Sequence, residues 1–478
     1  MGRSGASDPL CIQSLLVMLG MGVLLSCGGA SSGSHTSTPP PAQGGIPVTF
    51  FGIHVNRIDA PWPVVSVGAQ RLHDNGVNWA EIETQPGVYD FTRLDTLMAR
   101  AQTKGVDLLY TFVDVPQFYS SVPTDTDCAY PQNGTGGCDP PSDLNSDGTG
   151  ANTNFKNFVT ALATHATKTA PSITYWEIWN EPDGPKMWKG TPQQLVRMAR
   201  DAACIIKGIG SGCTAAALDP NAKIVTPAPT GGPNEAPQWM GTYLAAGGAQ
   251  YADVISFHGY VQCPSTTDCP ATPTPEVVAA AASNMKNVLA INAQSAKPIF
   301  DTEGSWGPTD VDLFNDPDQR SAFVARFLVL QQSAGIERVY WYRWDVGGGG
   351  GWGTLWDSVN TNVDGCNNAG TPYPAGGFLC KPGTAYEQVY NWLVGATLNT
   401  PCAANGTVWT CGYTRANGYQ AQIVWDASQN CIAGLCSTSS FTAGTQFKQY
   451  RDLSGNTSAI SGPVPIGAKP VILESGNP

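Results

Sequence analysis

Two glutamates, each closing an apolar run, are the residues best placed to do chemistry in this chain. The first lies in Trp176-Glu177-Ile178-Trp179-Asn180-Glu181-Pro182-Asp183 and the second in Ile299-Phe300-Asp301-Thr302-Glu303-Gly304. Pro182 lacks a backbone N–H and ends any strand ladder there, which leaves Glu181 at a strand exit. Gly304 frees the backbone directly after Glu303. A carboxyl kept protonated by its surroundings and a second that stays ionised make the pair that glycoside cleavage needs: one protonates the leaving oxygen, and the other attacks the anomeric carbon or activates water. Other candidate chemistry is weaker. The histidines are His35, His54, His73, His165 and His258, with no H-x-H pair, so a metal mechanism is not expected. Asp143-x-Asn145-x-Asp147-Gly148 imitates the start of a calcium loop, but the twelfth position is Asn154 rather than Glu, and it reads as an Asx-rich turn. The glycine run Gly347 to Gly351 has no Lys-Ser/Thr after it and is no P-loop. As a loop bordering a pocket, it would precede Trp352 and Trp356, which either stack on sugar faces or anchor the loop.

The elements that must position these groups are legible as periodicity. Extended apolar runs fall at Val48–Val55, Gly68–His73, Val106–Phe112, Ile173–Asn180, Lys223–Pro227, Asp253–His258, Pro298–Glu303 and Glu337–Trp344. Helical patterns with apolar residues at i, i+3/i+4 and i+7 alternate with them, the last at Thr384–Val394. Eight β-then-α units predict an α/β fold, a (β/α)8 TIM barrel spanning 47–397, with chemistry at the C-terminal ends of its strands. A doubly wound open sheet is the competing architecture. The turn after the first strand, Gly52-Ile53-His54-Val55-Asn56, lacks the glycine-rich nucleotide fingerprint that fold often carries. After Leu398 short runs separated by Gly, Asn and Ser predict a small all-β, sandwich-like domain over 398–478.

Composition sets the compartment. The chain has 478 residues, 42% hydrophobic and only 13% charged, with a formal net charge of −12. An acidic chain without Lys/Arg clusters repels phosphate backbones, which argues against nucleic-acid partners. Pro9 to Leu25 is apolar, too short to span a bilayer, and ends in Leu24-Leu25-Ser26-Cys27. Residues 1–27 resemble a bacterial lipoprotein signal with Cys27 as the lipidated residue; an ordinary secretory signal is the alternative. Residues 28–46 form a Ser/Thr/Gly/Pro tether. The body is expected to be exported, secreted or held to the cell envelope only by a lipid anchor. Neighbouring cysteines suit loop-stapling disulfides: Cys128/Cys138, Cys204/Cys213, Cys263/Cys269, Cys366/Cys380, Cys402/Cys411 and Cys431/Cys436.

Trp179-Asn180-Glu181-Pro182 together with Thr302-Glu303-Gly304 resembles the retaining glycoside hydrolases of the large (β/α)8 clan with glutamates on strands four and seven. Arg71-Leu72-His73-Asp74 with Trp79, Gly87-Val88-Tyr89-Asp90-Phe91, Ser256-Phe257-His258-Gly259-Tyr260, Tyr340-Trp341-Tyr342-Arg343-Trp344-Asp345 and the terminal β-domain are similar to its family 39 branch of β-xylosidases and α-L-iduronidases. The resemblance implies a cofactor-free glycosidase acting on poly- or oligosaccharides by double displacement. Glu181 would be acid/base and Glu303 nucleophile, with carboxyls about 5–5.5 Å apart. It further implies Asn180 on the sugar 2-hydroxyl, His258 and Tyr260 lining the pocket and touching the nucleophile, and Arg71 keeping that nucleophile ionised. His54 and Trp341 would wall the sugar site. Other readings stay open: His258 or His54 as core histidines, Arg71 paired only with Asp74, and Trp344 in place of Trp341, since alternation puts the two on opposite faces. A non-catalytic carbohydrate-binding lipoprotein and a transglycosylase are the alternative functions.

Overall fold

The computed structural model describes residues 45–169, 173–261, 274–307, 316–345, 352–358, 366, 373 and 376–477. Cys27, the tether through residue 44, the Cys263/Cys269 pair and the glycine run 347–351 lie outside the described residues. Each of the anticipated extended runs contributes a strand: β1 (Phe51–His54), β2 (Ala69–Leu72), β3 (Asp107–Thr111), β4 (Tyr175–Glu177), β5 (Lys223–Val225), β6 (Ile255–His258), β7 (Ile299–Gly304) and β8 (Arg338–Trp341). They pair in the order β5-β4-β3-β2-β1-β8-β7-β6. A parallel bridge between Val225 and Val254 joins the two ends and closes the barrel. Ala69, Leu109, Val225, Val254, Phe300 and Tyr340 fill its bore. Alternate residues face outward to the helices, as a sheet buried on both sides requires.

The helices are α1 (Thr92–Lys104), α2 (Thr153–Lys168), α3 (Pro192–Lys207), α4 (Gly232–Ala245), α5 (Val277–Ile291), α6 (Pro317–Ser333) and α7 (Lys381–Leu393). Local sequence sets their ends. In α3, Thr191 and Gln194 form a capping box, Pro192 opens the first turn, and Gly208 closes the last at φ 71°. The expectation of a helix after every strand fails once: residues 55–68, between β1 and β2, carry none. Pro61 and Pro63 fall inside this stretch and deny a helix its N–H donors.

β9 (Thr397–Asn405), β10 (Val408–Thr414), β11 (Gln420–Asp426), β12 (Gln449–Arg451), β13 (Thr457–Ala459) and β14 (Val471–Glu474) form an antiparallel sheet in the order β9-β10-β11-β14-β12-β13. A strand pair, Thr438–Phe441 with Val464–Gly467, shares with it a core of Val424, Phe447, Val464, Ile466 and Leu473. This β-domain is seated on the barrel wall. Tyr413 donates to Gln332 at 3.0 Å, the Cys402 N–H donates to Ser333 at 2.7 Å, and the Trp425 indole donates to Glu276 at 2.9 Å. Helix α6 is consequently buried along almost its whole length, between barrel and β-domain. Five of the expected cysteine pairs are joined: Cys128–Cys138, Cys204–Cys213, Cys366–Cys380, Cys402–Cys411 and Cys431–Cys436.

Candidate active site

The C-terminal mouth of the barrel gathers the candidate groups. Beyond β4 the chain bridges to Ala228, and Glu181 takes a left-handed backbone, φ 42°, with its N–H donating to Ala228 at 2.9 Å. A non-glycine residue there costs about 1 kcal/mol, and Pro182 then turns the chain away. The Glu181 side chain is 19% exposed and its Oε1 lies 2.8 Å from Nδ1 of His258, a ring that is wholly buried. Burial raises the Glu181 pKa to about 7, with Arg71 pulling the other way. Burial lowers His258 to about 4, so its ring is neutral at neutral pH.

Glu303, 9% exposed, is held at both oxygens. Tyr260 donates to Oε1 at 2.8 Å and Arg71 donates to Oε2 at 2.8 Å. Burial raises its pKa and Arg71 opposes the rise. One oxygen of Glu181, one of Glu303 and a ring nitrogen of His258 all lie within 4.8 Å of one another. Carboxyl oxygens this close can reach one bond together, as a nucleophile and an acid/base must.

Arg71 ties the floor together. Fully buried, it donates to Glu177 Oε2 at 2.9 and 2.5 Å, to Asn180 Oδ1 at 2.9 Å and to Glu303. Burial alone would raise Glu177, but the guanidinium, with His258 and the Thr302 hydroxyl, holds this carboxyl below its ordinary value. Because Arg71 takes the Asn180 carbonyl, the amide NH2 is turned away from the guanidinium; it donates to Met187 Sδ at 3.8 Å and keeps a second N–H. Arg71 does not pair with Asp74 alone. Asp74 instead accepts from Tyr130 and Tyr342, both at 3.0 Å. His54 donates to the Thr302 carbonyl at 2.9 Å, and its ring lies 5.0 Å from that of Tyr342. Burial lowers His54 well below the ordinary histidine value.

Trp341 needs correcting. It does not wall the sugar site: its ring packs against Trp306, Phe323 and Phe327, on the outer side of β8 against α6, and its indole donates to Gly353 at 2.7 Å. Alternation decides this, since Tyr340 points into the bore and Trp341 therefore points out. Trp344 does not replace it, being buried and stacked on Trp356 at 5.1 Å. Tyr342 and Trp352 join Tyr260 and Tyr130 as aromatic groups at the mouth. Trp352 is 37% exposed, and its ring lies 5.8 Å from both Tyr260 and Tyr342.

Sequence reasoning passed over Glu177, His73, Tyr342 and Tyr130 as site residues. The first three share a strand face with an assigned or bore-lining residue, Tyr175, Arg71 and Tyr340 respectively, so period two could have found them. Tyr130 arrives on the loop between β3 and α2 and left no such signal. Among the described residues, three groups bring metal-ligand atoms within 4.8 Å: Asp125/Cys128/Cys138/Asp139, His54/His73/Glu303 and Glu181/His258/Glu303. In the first the two sulfurs are joined to each other. In the others the Arg71 guanidinium already supplies the positive charge beside Glu303. Asp143 accepts the Thr153 N–H at 2.6 Å and Asp147 accepts from Thr149 at 2.9 Å, a cap for α2 and an Asx turn.

No protein-family model matches the chain, and no curated relative does. Solved structures do. A family 39 glycoside hydrolase from the gut symbiont Bacteroides cellulosilyticus WH2 is 16% identical with a TM-score of 0.59, covering 89% of this chain and 80% of that one. A monomeric β-xylosidase from Caulobacter crescentus CB15 is 15% identical with a TM-score of 0.55, covering 91% and 97%. The catalytic domain of family 30 xylanase C from Talaromyces cellulolyticus is 11% identical with a TM-score of 0.51, covering 90% and 98%. At these identities the likeness is one of fold: the chain has the barrel found in family 39 and family 30 glycoside hydrolases.

Proposed function

We propose that the protein is a retaining O-glycoside hydrolase acting on poly- or oligosaccharides, with Glu303 as nucleophile and Glu181 as acid/base. The observation that carries this reading is the approach of one oxygen of each carboxyl to within 4.8 Å, Glu303 held by a guanidinium and a phenol and Glu181 raised by burial to about 7. The shared fold with glycoside hydrolases supports it. Glu303 attacks the anomeric carbon as Glu181 gives its proton to the leaving oxygen, forming a glycosyl-enzyme. Glu181, now ionised, takes a proton from water, which attacks the same carbon and frees Glu303. Asn180 presents its amide to the sugar 2-hydroxyl. Tyr342 and Trp352 border the ring, with the fully buried His54 behind Tyr342 rather than on the sugar. No step calls on a cofactor. Export and attachment through Cys27 are supported by the apolar N-terminal run and its Leu-Leu-Ser-Cys ending.

An activated 2-fluoro-glycoside, screened across common sugars on protein lacking residues 1–27, should give a burst and label Glu303. Glu181→Gln should lose hydrolysis of poor leaving groups by about 100-fold or more, while activated aryl glycosides are spared. Equal loss on both removes Glu181 from the acid role, and binding without turnover by the wild type leaves only the carbohydrate-binding function.

A further inference from the structure

Strand β7 breaks its own alternation. Phe300 points into the bore, so strict period two would send Glu303 outward, away from the mouth. Glu303 faces inward because the strand is bulged. Phe257 of β6 pairs with Asp301, but the next residue, His258, pairs with Glu303. On the other side Val339 and Trp341 of β8 pair with Asp301 and Gly304. Thr302 is the extra residue, and a bulge re-aims the side chain that follows it.

Asp301 closes over this bulge from the outer side. Its fully buried carboxyl accepts the Gly259 N–H at 2.8 Å and also the backbone N–H of Glu303. Its other oxygen meets the side-chain amide of Gln331 on α6. Gly259 is the residue between His258, which touches Glu181, and Tyr260, which donates to Glu303. The fit is close: a Cβ on Gly259 would fall 2.1 Å from Asp301 Oδ2, and one on Gly304 would fall 2.9 Å from it.

Resting on the glycosidase reading above, we infer that Asp301 is a positioning residue: by gripping the backbone N–H groups of Gly259 and Glu303, it holds the Thr302 bulge in the register that turns Glu303 into the pocket opposite Tyr260. Burial drives its pKa above the ordinary carboxylate value, and the backbone N–H groups it accepts oppose the rise; Gln331 donates its amide N–H to the other oxygen.

The test compares Asp301→Leu, which fills the volume and removes the acceptors, with Asp301→Asn, which keeps an acceptor oxygen for the backbone N–H groups. Folding is checked by thermal melting. Asp301→Leu should lower kcat roughly 100-fold, the scale of a small misplacement of reacting groups, with KM changed less than about threefold. It should also move the acidic limb of kcat/KM to higher pH as Glu303 leaves Arg71. Asp301→Asn should restore kcat to within about threefold and leave that limb in place. If Asp301→Leu does not fold, Gly259→Ala presses on the same carboxyl and should reproduce both changes. Crystal structures of the variants give a readout apart from turnover: Glu303 should part from Tyr260 in Asp301→Leu or Gly259→Ala and stay in Asp301→Asn. A wild type inert on glycosides would refute the glycosidase reading while the structures still decide the bulge. The inference is overturned if the folded Leu variant, or Gly259→Ala in its place, keeps kcat and its acidic limb, if Asp301→Asn shifts that limb, or if Glu303 stays on Tyr260 without the Asp301 carboxyl.

Discussion

Replacing Arg71 by Met should separate what the buried guanidinium does for stability from what it does for the reaction. Arg71 is wholly buried and donates to Glu177, Asn180 and Glu303. Methionine fills much of the space and leaves Glu177, also wholly buried, with the Thr111 hydroxyl at 2.9 Å as its remaining donor on Oε2. Stranding one partner of a buried ion pair costs about 3–5 kcal/mol, a large part of the roughly 5–15 kcal/mol that holds a domain folded. The pH dependence has a definite sign. Glu177 in the wild type lies below its ordinary value, so its contribution is present at neutral pH and is lost as pH falls through the folded pKa. Without Arg71, burial is opposed only by the weaker Thr111, Thr302 and His258 contributions, so the Glu177 pKa should rise above the unfolded value and the variant gain stability as acid protonates it. The deficit should therefore be largest near pH 7 and shrink toward pH 5. Arg71→Met with Glu177→Gln removes the stranded charge and should recover at least half of the loss, while kcat/KM stays depressed about 100-fold or more because Asn180 and Glu303 remain unheld. Guanidinium unfolding followed by tryptophan fluorescence at pH 7 and pH 5, beside initial rates on an aryl glycoside, measures both. A single-variant cost under 1 kcal/mol, a deficit independent of pH, or a double variant less stable than the single would refute the reasoning.

The remaining predictions follow from the same geometry. On the proposed mechanism Glu181 starts the reaction protonated, and burial raises its pKa to about 7, so kcat/KM should fall as pH rises through that value, measured by initial rates across the pH range. Trp341→Ala should cost about 3–5 kcal/mol of stability by leaving a cavity against α6, with KM for an aryl glycoside unchanged; a raised KM would return Trp341 to the sugar site. Trp352→Ala should raise KM about tenfold, equivalent to roughly 1.4 kcal/mol of lost stacking, while the melting temperature moves little because the ring is 37% exposed.

The sequence alone determined the alternation of strands and helices, hence the barrel, and it marked Glu181 and Glu303 as strand-end acids, because periodicity and the residues Pro182 and Gly304 are local properties. Five of the cysteine pairs were legible for the same reason, each being close along the chain. What only the tertiary structure decided depends on contacts between distant segments. Trp341 lies on the outer face because the phase of β8 is set by which residues fill the shared bore, and no single strand carries that information. Arg71 turns from a possible partner of Asp74 alone into the link among Glu177, Asn180 and Glu303 only once β2, β4 and β7 close into one ring. Glu303 itself is aimed by one extra residue in β7, and alternation read along that strand would have pointed it the wrong way. A bulge is defined by pairing with neighbouring strands, so it exists only in the assembled sheet.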